Sequence, residues 1–407
     1  QTCALPILSG PVHLNLRFRE PLLGVAGELP MRDEKSALIS QDLSQPSTRL
    51  MKRLHKLLSN KKGLIVAGPE KYRNDSIVKL AEALGWPIIA DPRSSARVPN
   101  SVVVAAADSI LRDADSAKQL KPEVVLRFGA LPASKVVNSW LTSSGADQVV
   151  VTTTPTLIDP DRMCSLHIVA DIDEICLQIL ESKLIASPTD WLASWSVSEQ
   201  SAQKAINLAL ADEKALTEPG VARALVASLP DDSHLVVSSS MPIRDVEWFG
   251  APRHGLRVHA NRGANGIDGV VSTSVGVAIA TGKQTTLLIG DIAFLHDSNG
   301  LLNLGQRDVD LRIIVIDNNG GGIFSFLPQA EKVDETKFEK LFGTPHQVDI
   351  ALLTKAHQIA FHEIENLEEL GEVLALRGPW VARVATDRKE NVKVHERINQ
   401  SVAASLR

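Results

Sequence analysis

The sequence predicts two α/β domains, each a doubly wound, mostly parallel sheet with helices on both faces, and three observations predict them. Short apolar runs such as GLIVAG (63–68) and TLLI (286–289) alternate with stretches whose apolar residues recur at helical spacing. That is the pattern of strands buried on both faces between helices. The rhythm occurs twice, on either side of a helical stretch at 190–218 that stops at Pro219-Gly220. The 407 residues are also enough for two or three cores at about 100–200 residues each.

In chain order, residues 1–7 (QTCALPI) equal the translation of a common sequencing-library adapter and are expected to be an artefact. Residues 8–29 are expected to be the end of a preceding domain. PVHLNLRFRE (11–20) alternates like a strand, Pro21 stops it, and a polar linker follows to about Ser47. Residues 30–216 form the central domain and linker, with strands expected at 63–68, 87–90, 102–105, 124–129 and 148–151 and a helix at 74–84. Residues 217–407 start the rhythm again. Helices are expected at 221–228, 266–281 and 298–306, and strands at 234–239, 257–260, 285–289 and 311–316, the last followed by a glycine-rich turn.

Composition excludes several classes. With 44% apolar and 22% charged residues the chain is an ordered globular protein. A net charge of −5 argues against a general nucleic-acid binder. No apolar run approaches the ~18 residues of a membrane span. Three cysteines with no C-x-x-C pair build neither a disulfide framework nor a zinc site, and they point to a reducing, cytoplasmic setting.

The chemistry lies after two strands. The run at 286–289 is followed by Gly290-Asp291, and the run at 313–316 by Asp317-Asn318-Asn319-Gly320-Gly321-Gly322. Ligands of doubly wound sheets bind at the carboxyl ends of strands. Asp291 offers a carboxylate, Asn318 an amide oxygen and Gly320 a carbonyl, the hard oxygens that suit Mg²⁺ beside a diphosphate. Singly, Gly-Asp and Asn-Asn-Gly are ordinary turn signals. The competing phosphate loops are absent, since Gly282-Lys283 lacks the rest of a Walker loop and no G-x-G-x-x-G opens a helix.

Together the two motifs match the G-D…N-N metal and diphosphate signature of thiamine-diphosphate enzymes. SSSMPIRD (238–245), NRGANGIDG (261–269), DNNGGGIFSFLP (317–328), GPVHLN (10–15) and GWP (85–87) sharpen the match. With them the chain resembles the 2-succinyl-5-enolpyruvyl-6-hydroxy-3-cyclohexene-1-carboxylate synthase family. The resemblance implies decarboxylation of 2-oxoglutarate and addition of the resulting succinyl carbanion to isochorismate, in menaquinone biosynthesis. It also implies thiamine diphosphate and Mg²⁺ (or Mn²⁺) as cofactors, and a homodimer or dimer of dimers. Asp291, Asn318 and Gly320 would hold the metal. Ser240, Gly263, Asn265, Ile267, Asp291, Ile323, Phe324 and Leu327 would face the cofactor, and Arg244 and Arg262 would bind substrate carboxylates. The activating Glu of the family belongs to a pyrimidine-binding domain ahead of Gly10, so this chain alone is expected to be inactive.

Plainer readings stand beside these. Ile323, Phe324 and Leu327 read equally as core, and Arg244 as a surface ion pair. His254, His259 and His296 read as satisfied polar residues rather than ligands. Arg93, Arg97 and Arg127 read as solvated surface charges, with substrate or effector contact as the alternative. Asp317 adds a carboxylate where the family often has Asn, and beside a diphosphate it would have to point away or be offset by the metal. Another thiamine-diphosphate-dependent 2-oxo acid decarboxylase or carboligase, and a regulatory nucleotide-binding module, are the rival functions.

Overall fold

Apolar strands must be covered on both faces, and among the described residues such strands form the middle of two six-stranded sheets with only parallel pairings, flanked by half-buried edge strands. The structure, a computed structural model, describes residues 15–20, 24, 27–28, 46–69, 75–182, 184–261 and 266–407. The first sheet holds β1 (Gly63–Ala67), β2 (Ile88–Ala90), β3 (Val103–Val104), β4 (Val124–Phe128), β5 (Asp147–Thr152) and β6 (Cys164–Val169), in the order β3-β2-β1-β4-β5-β6. The second holds β7 (His234–Val237), β8 (Arg257–His259), β9 (Thr285–Gly290), β10 (Leu311–Asp317), β11 (Ala360–Ile364) and β12 (Trp380–Ala385), in the order β11-β12-β10-β9-β7-β8. Strand order reverses between β1 and β4 in the first sheet and between β7 and β9 in the second, the places where ligands of such sheets bind.

Most expected elements are present within a residue or two. The helix expected at 74–84 is Ser76–Leu84, closed by Gly85 at φ +64°. Several expectations are corrected, and the helix at 266–281 starts only at Val270, after Gly269 at φ +67°. The helix at 298–306 is instead two 3₁₀ turns, Ser298–Leu301 and Leu304–Gln306, because Asn303 takes φ +59° between them. Residues 15–20 form no strand and are exposed, with no neighbouring strand to pair their backbone; 11–14 lie outside the described residues. Pro219-Gly220 is not a break but the first turn of the helix Glu218–Ser228, whose cap Thr217 accepts from the Gly220 N–H. The edge strand β6 escapes the apolar-run signal because it is only half buried.

One apolar cluster joins the two sheets' domains. The helix Thr189–Ala211 contributes Trp191, Trp195, Ala202 and Ile206, and the helix Arg388–Ser405 contributes Val394, Ile398 and Val402. The helix Met241–Phe249, which follows β7, adds Met241, Trp248 and Phe249. Arg97 crosses the same seam. Its guanidinium donates to the carbonyls of Ala90 (2.7 Å), Glu247 (2.9 Å) and Gly250 (2.6 Å). The expectation of solvated arginines therefore fails. Arg97 and Arg127 are buried and Arg93 is clamped on Asp91 at 2.8 and 2.9 Å, because closure of the domains and loops covers them.

Glu247 shows the cost of that closure. Its Oε1 accepts from the Ser134 N–H at 3.2 Å, while Oε2 is buried without a partner. Burial, then the neighbouring Asp91, pushes its pKa from 4.5 up to about 8. A raised folded-state value means that the folded chain binds the proton more tightly than the unfolded chain. This contribution to stability is full below about pH 4.5 and is lost as pH rises through about 8. Glu247→Gln should leave stability near pH 5 little changed and raise it at pH 9, a flattening that denaturant unfolding at the two pH values would check.

Candidate cofactor and metal site

β9 and β10 are adjacent, and their register pairs Val315 with Ile289 and Ile316 with Gly290, so both strands end at one level beside the second reversal of strand order. Asp291 begins the short helix Asp291–His296 directly after β9. Its Oδ1 accepts from the Ile292 N–H (2.6 Å) and its Oδ2 from the Gly320 N–H (2.8 Å). Burial pushes the pKa of Asp291 up, those two N–H bonds pull it back, and nearby Asp317 pushes it up again.

After β10 the backbone turns sharply, with Asn319 at φ +54° and Gly320 at φ +143°. A Cβ on Gly320 would lie 2.0 Å from the Gly343 carbonyl oxygen, so only glycine fits. The Gly320 carbonyl accepts from the Gly322 N–H at 3.0 Å, which leaves its second lone pair. Asn318 donates through Nδ2 to Glu218 Oε1 at 2.9 Å, while its Oδ1 is buried with no hydrogen-bond partner. A buried amide oxygen left bare is what a metal ligand looks like before the ion is added. Carboxylate, amide oxygen and carbonyl form a hard donor set that fits Mg²⁺.

The extra carboxylate is compensated. Asp317 Oδ2 accepts from Arg383 Nε on β12 at 2.6 Å, and Oδ1 accepts from the Asn319 N–H at 3.1 Å. His346, which the sequence reading did not single out, places Nε2 3.2 Å from Asp291 Oδ2 and 3.8 Å from Asp317 Oδ1. Its Nδ1 accepts from the Val348 N–H (2.9 Å), so the ring proton sits on Nε2 and is donated to Asp291. Asp291, Asp317 and His346 are the one His, Cys or carboxylate cluster among the described residues that is close enough to share an ion. Nothing near His346 in sequence announces this, since the contact is made by a loop folding back over the strand ends.

Ser240 opens the helix Met241–Phe249 at φ +74°, and Arg244, half buried on its first turn, donates to the Ser240 carbonyl. Ser239 Oγ donates to the Asn261 carbonyl (2.7 Å), tying the end of β7 to the loop after β8. Arg262, Gly263 and Asn265 lie outside the described residues. Ile267 and Ile323 are half buried against two different clusters. Phe324 and Leu327 are 37% and 39% exposed, which removes the reading of these two as core. Phe324 leans on Phe342 with ring centroids 5.6 Å apart. His259 is paired with His234 at 2.8 Å, as expected of a satisfied polar residue.

Comparison with known proteins gives this geometry a family. Residues 31–237 match the family described as "Middle domain of thiamine pyrophosphate", and residues 243–377 match "Thiamine pyrophosphate enzyme, C-terminal TPP binding domain". Curated relatives named 2-succinyl-5-enolpyruvyl-6-hydroxy-3-cyclohexene-1-carboxylate synthase include that of Chloroflexus aurantiacus, 37% identical over 98% of this chain and 70% of its own length. Those of Myxococcus xanthus (36%) and Listeria innocua (34%) each align with 98% of this chain over 71% of their lengths. A thiamine pyrophosphate-binding domain, built on β9 and β10, and relatedness of this extent along nearly the whole chain lead to one conclusion: the chain belongs to the 2-succinyl-5-enolpyruvyl-6-hydroxy-3-cyclohexene-1-carboxylate synthase family of thiamine pyrophosphate enzymes.

Proposed function

We propose that this chain serves the reaction for which its relatives are named, with 2-oxoglutarate and isochorismate as substrates and CO₂ as the second product, in menaquinone biosynthesis. The observation that carries the metal half of this reading is the bare, buried Oδ1 of Asn318, two residues from the glycine whose N–H binds Asp291. Asp291, Asn318 Oδ1 and the Gly320 carbonyl would hold Mg²⁺, or Mn²⁺, against the diphosphate. When bound, thiamine diphosphate supplies the electron sink for loss of CO₂ from a 2-oxo acid. The chain's own residues bind and orient. Phe324 and Leu327, exposed as the molecule stands, together with Ile267 and Ile323, would give the cofactor an apolar wall. Ser240, Gly263 and Asn265 would lie along it.

Arg244 and Arg262 would take the substrate carboxylates as bidentate forks, the geometry for which guanidinium is suited. Both substrates are dicarboxylates, which matches two such forks. Among the described residues no helix is long and apolar enough to cross a membrane, and Cys164 and Cys176 are not joined in a disulfide. The proposed setting is the cytoplasm, and the proposed assembly is a homodimer or dimer of dimers. The domain limits proposed are 8–29, 30–216 and 217–407.

The first test joins this chain to the part of its relatives that it does not align with and follows isochorismate with Mg²⁺, thiamine diphosphate and 2-oxoglutarate present. Consumption that requires all three additions is expected. CO₂ release from a different 2-oxo acid, with isochorismate untouched, would move the protein to another decarboxylase or carboligase. Asp291→Asn removes the one charged ligand of the proposed set. It should weaken Mg²⁺-dependent binding of thiamine diphosphate about 10- to 100-fold, read by calorimetry. Arg244→Lys exchanges a fork for a point charge, so KM for one dicarboxylate should rise while the thermal midpoint stays where it was.

A further inference from the structure

An asparagine side chain is nearly symmetrical in shape, and its hydrogen-bond partners decide which end faces where. At Asn318 the partner on one side is Glu218, the first residue of the helix Glu218–Ser228, itself only 3% exposed. Glu218 Oε1 receives Nδ2 of Asn318 at 2.9 Å and the Thr386 hydroxyl at 3.1 Å, so the acceptor is held from two directions. The amide also has little room to swing out of this place. A Cβ on Gly322 would sit 2.7 Å from Asn318 Nδ2, so the turn after β10 is already tight against this amide. Flipping the amide would set its oxygen against the Glu218 carboxyl oxygen and aim two N–H donors at the place where a cation is needed.

We propose that Glu218 is a positioning residue of the metal site: by accepting from Nδ2, it turns Oδ1 of Asn318 toward the ion. This rests on the reading of Asn318 as a metal ligand and extends it to a residue 100 positions away in sequence. Glu218 does not touch the ion, and its role is exerted through the amide. Partners of this kind typically change metal affinity about 10- to 100-fold when removed.

The test measures Mn²⁺ binding to the 407-residue chain by electron paramagnetic resonance in the presence of thiamine diphosphate, with the metal-free thermal midpoint as the check on folding. Glu218→Leu, which has no acceptor, should weaken Mn²⁺ about 10- to 100-fold. Glu218→Gln keeps an acceptor oxygen and should retain most of the wild-type affinity. A merely structural role would lower the midpoint of both variants and leave the affinity of the folded fraction alone. A folded Glu218→Leu chain that binds Mn²⁺ like wild type overturns the inference. If Glu218→Leu does not fold, Thr386→Val loosens the same carboxylate from its other side: weaker Mn²⁺ binding supports the inference and unchanged binding overturns it. A wild-type chain that binds no Mn²⁺ with the cofactor present instead overturns the underlying assignment of the metal ligands.

Discussion

Gly320 passes so near Gly343 that no side chain could stand between them, and the site is organised by that approach. The N–H of Gly321 donates to the Gly343 carbonyl at 2.8 Å, pinning the turn after β10 to the loop that follows the short helices at 335–343. The pin sets Gly320 where its N–H meets Asp291, and it brings the loop carrying His346 over the strand ends. Arg388, at the start of the helix Arg388–Ser405, closes the far side by pairing with Glu339 at 2.7 Å. A backbone contact a few ångströms across thus couples two strands, one loop and one terminal helix.

Around this contact the molecule gathers more negative charge than a dry interior tolerates. Asp291, Asp317, Glu218 and Asp245 are all buried. Each is answered by a different device: N–H groups and an imidazole proton for Asp291, the Arg383 guanidinium for Asp317, and His395 at 2.7 Å for Asp245. Glu218 has only neutral donors, and its pKa is pushed up to about 7, by burial first and Asp245 second. The divalent cation proposed above would relieve the charge that Asp291 carries into this interior.

The fold class can be read in the sequence because parallel strands buried on both faces leave continuous apolar runs that nothing else explains. Gly290-Asp291 and the Asp317–Gly322 run are also visible, since tight turns directly after buried strands require small and polar residues. Glu218, Arg383 and His346 are not visible, and the reason is the same for each. Each sits in a segment with an ordinary local explanation: a helix start, an edge-side strand, a polar loop. Pro219-Gly220 even draws the eye away, since the dipeptide reads as a break while it forms the first turn that presents Glu218 inward. The arginines of the central domain mislead in the other direction. Their polar neighbours suggest solvent, and only closure against the helix Met241–Phe249 buries Arg97.

The seam between the domains bears on how the chain comes off the ribosome. The helix Thr189–Ala211 is synthesised well before the helix Arg388–Ser405 that packs along one of its faces, the Trp195 side being already held by Trp140 of the first domain. The first sheet can close on itself early, but this apolar face must then stay bare until most of the second domain has been translated. A nascent surface of that kind is where holding chaperones bind and where crowded chains stick to one another. The yield of this protein should therefore depend on translation speed and chaperone supply as much as on the stability of the finished fold.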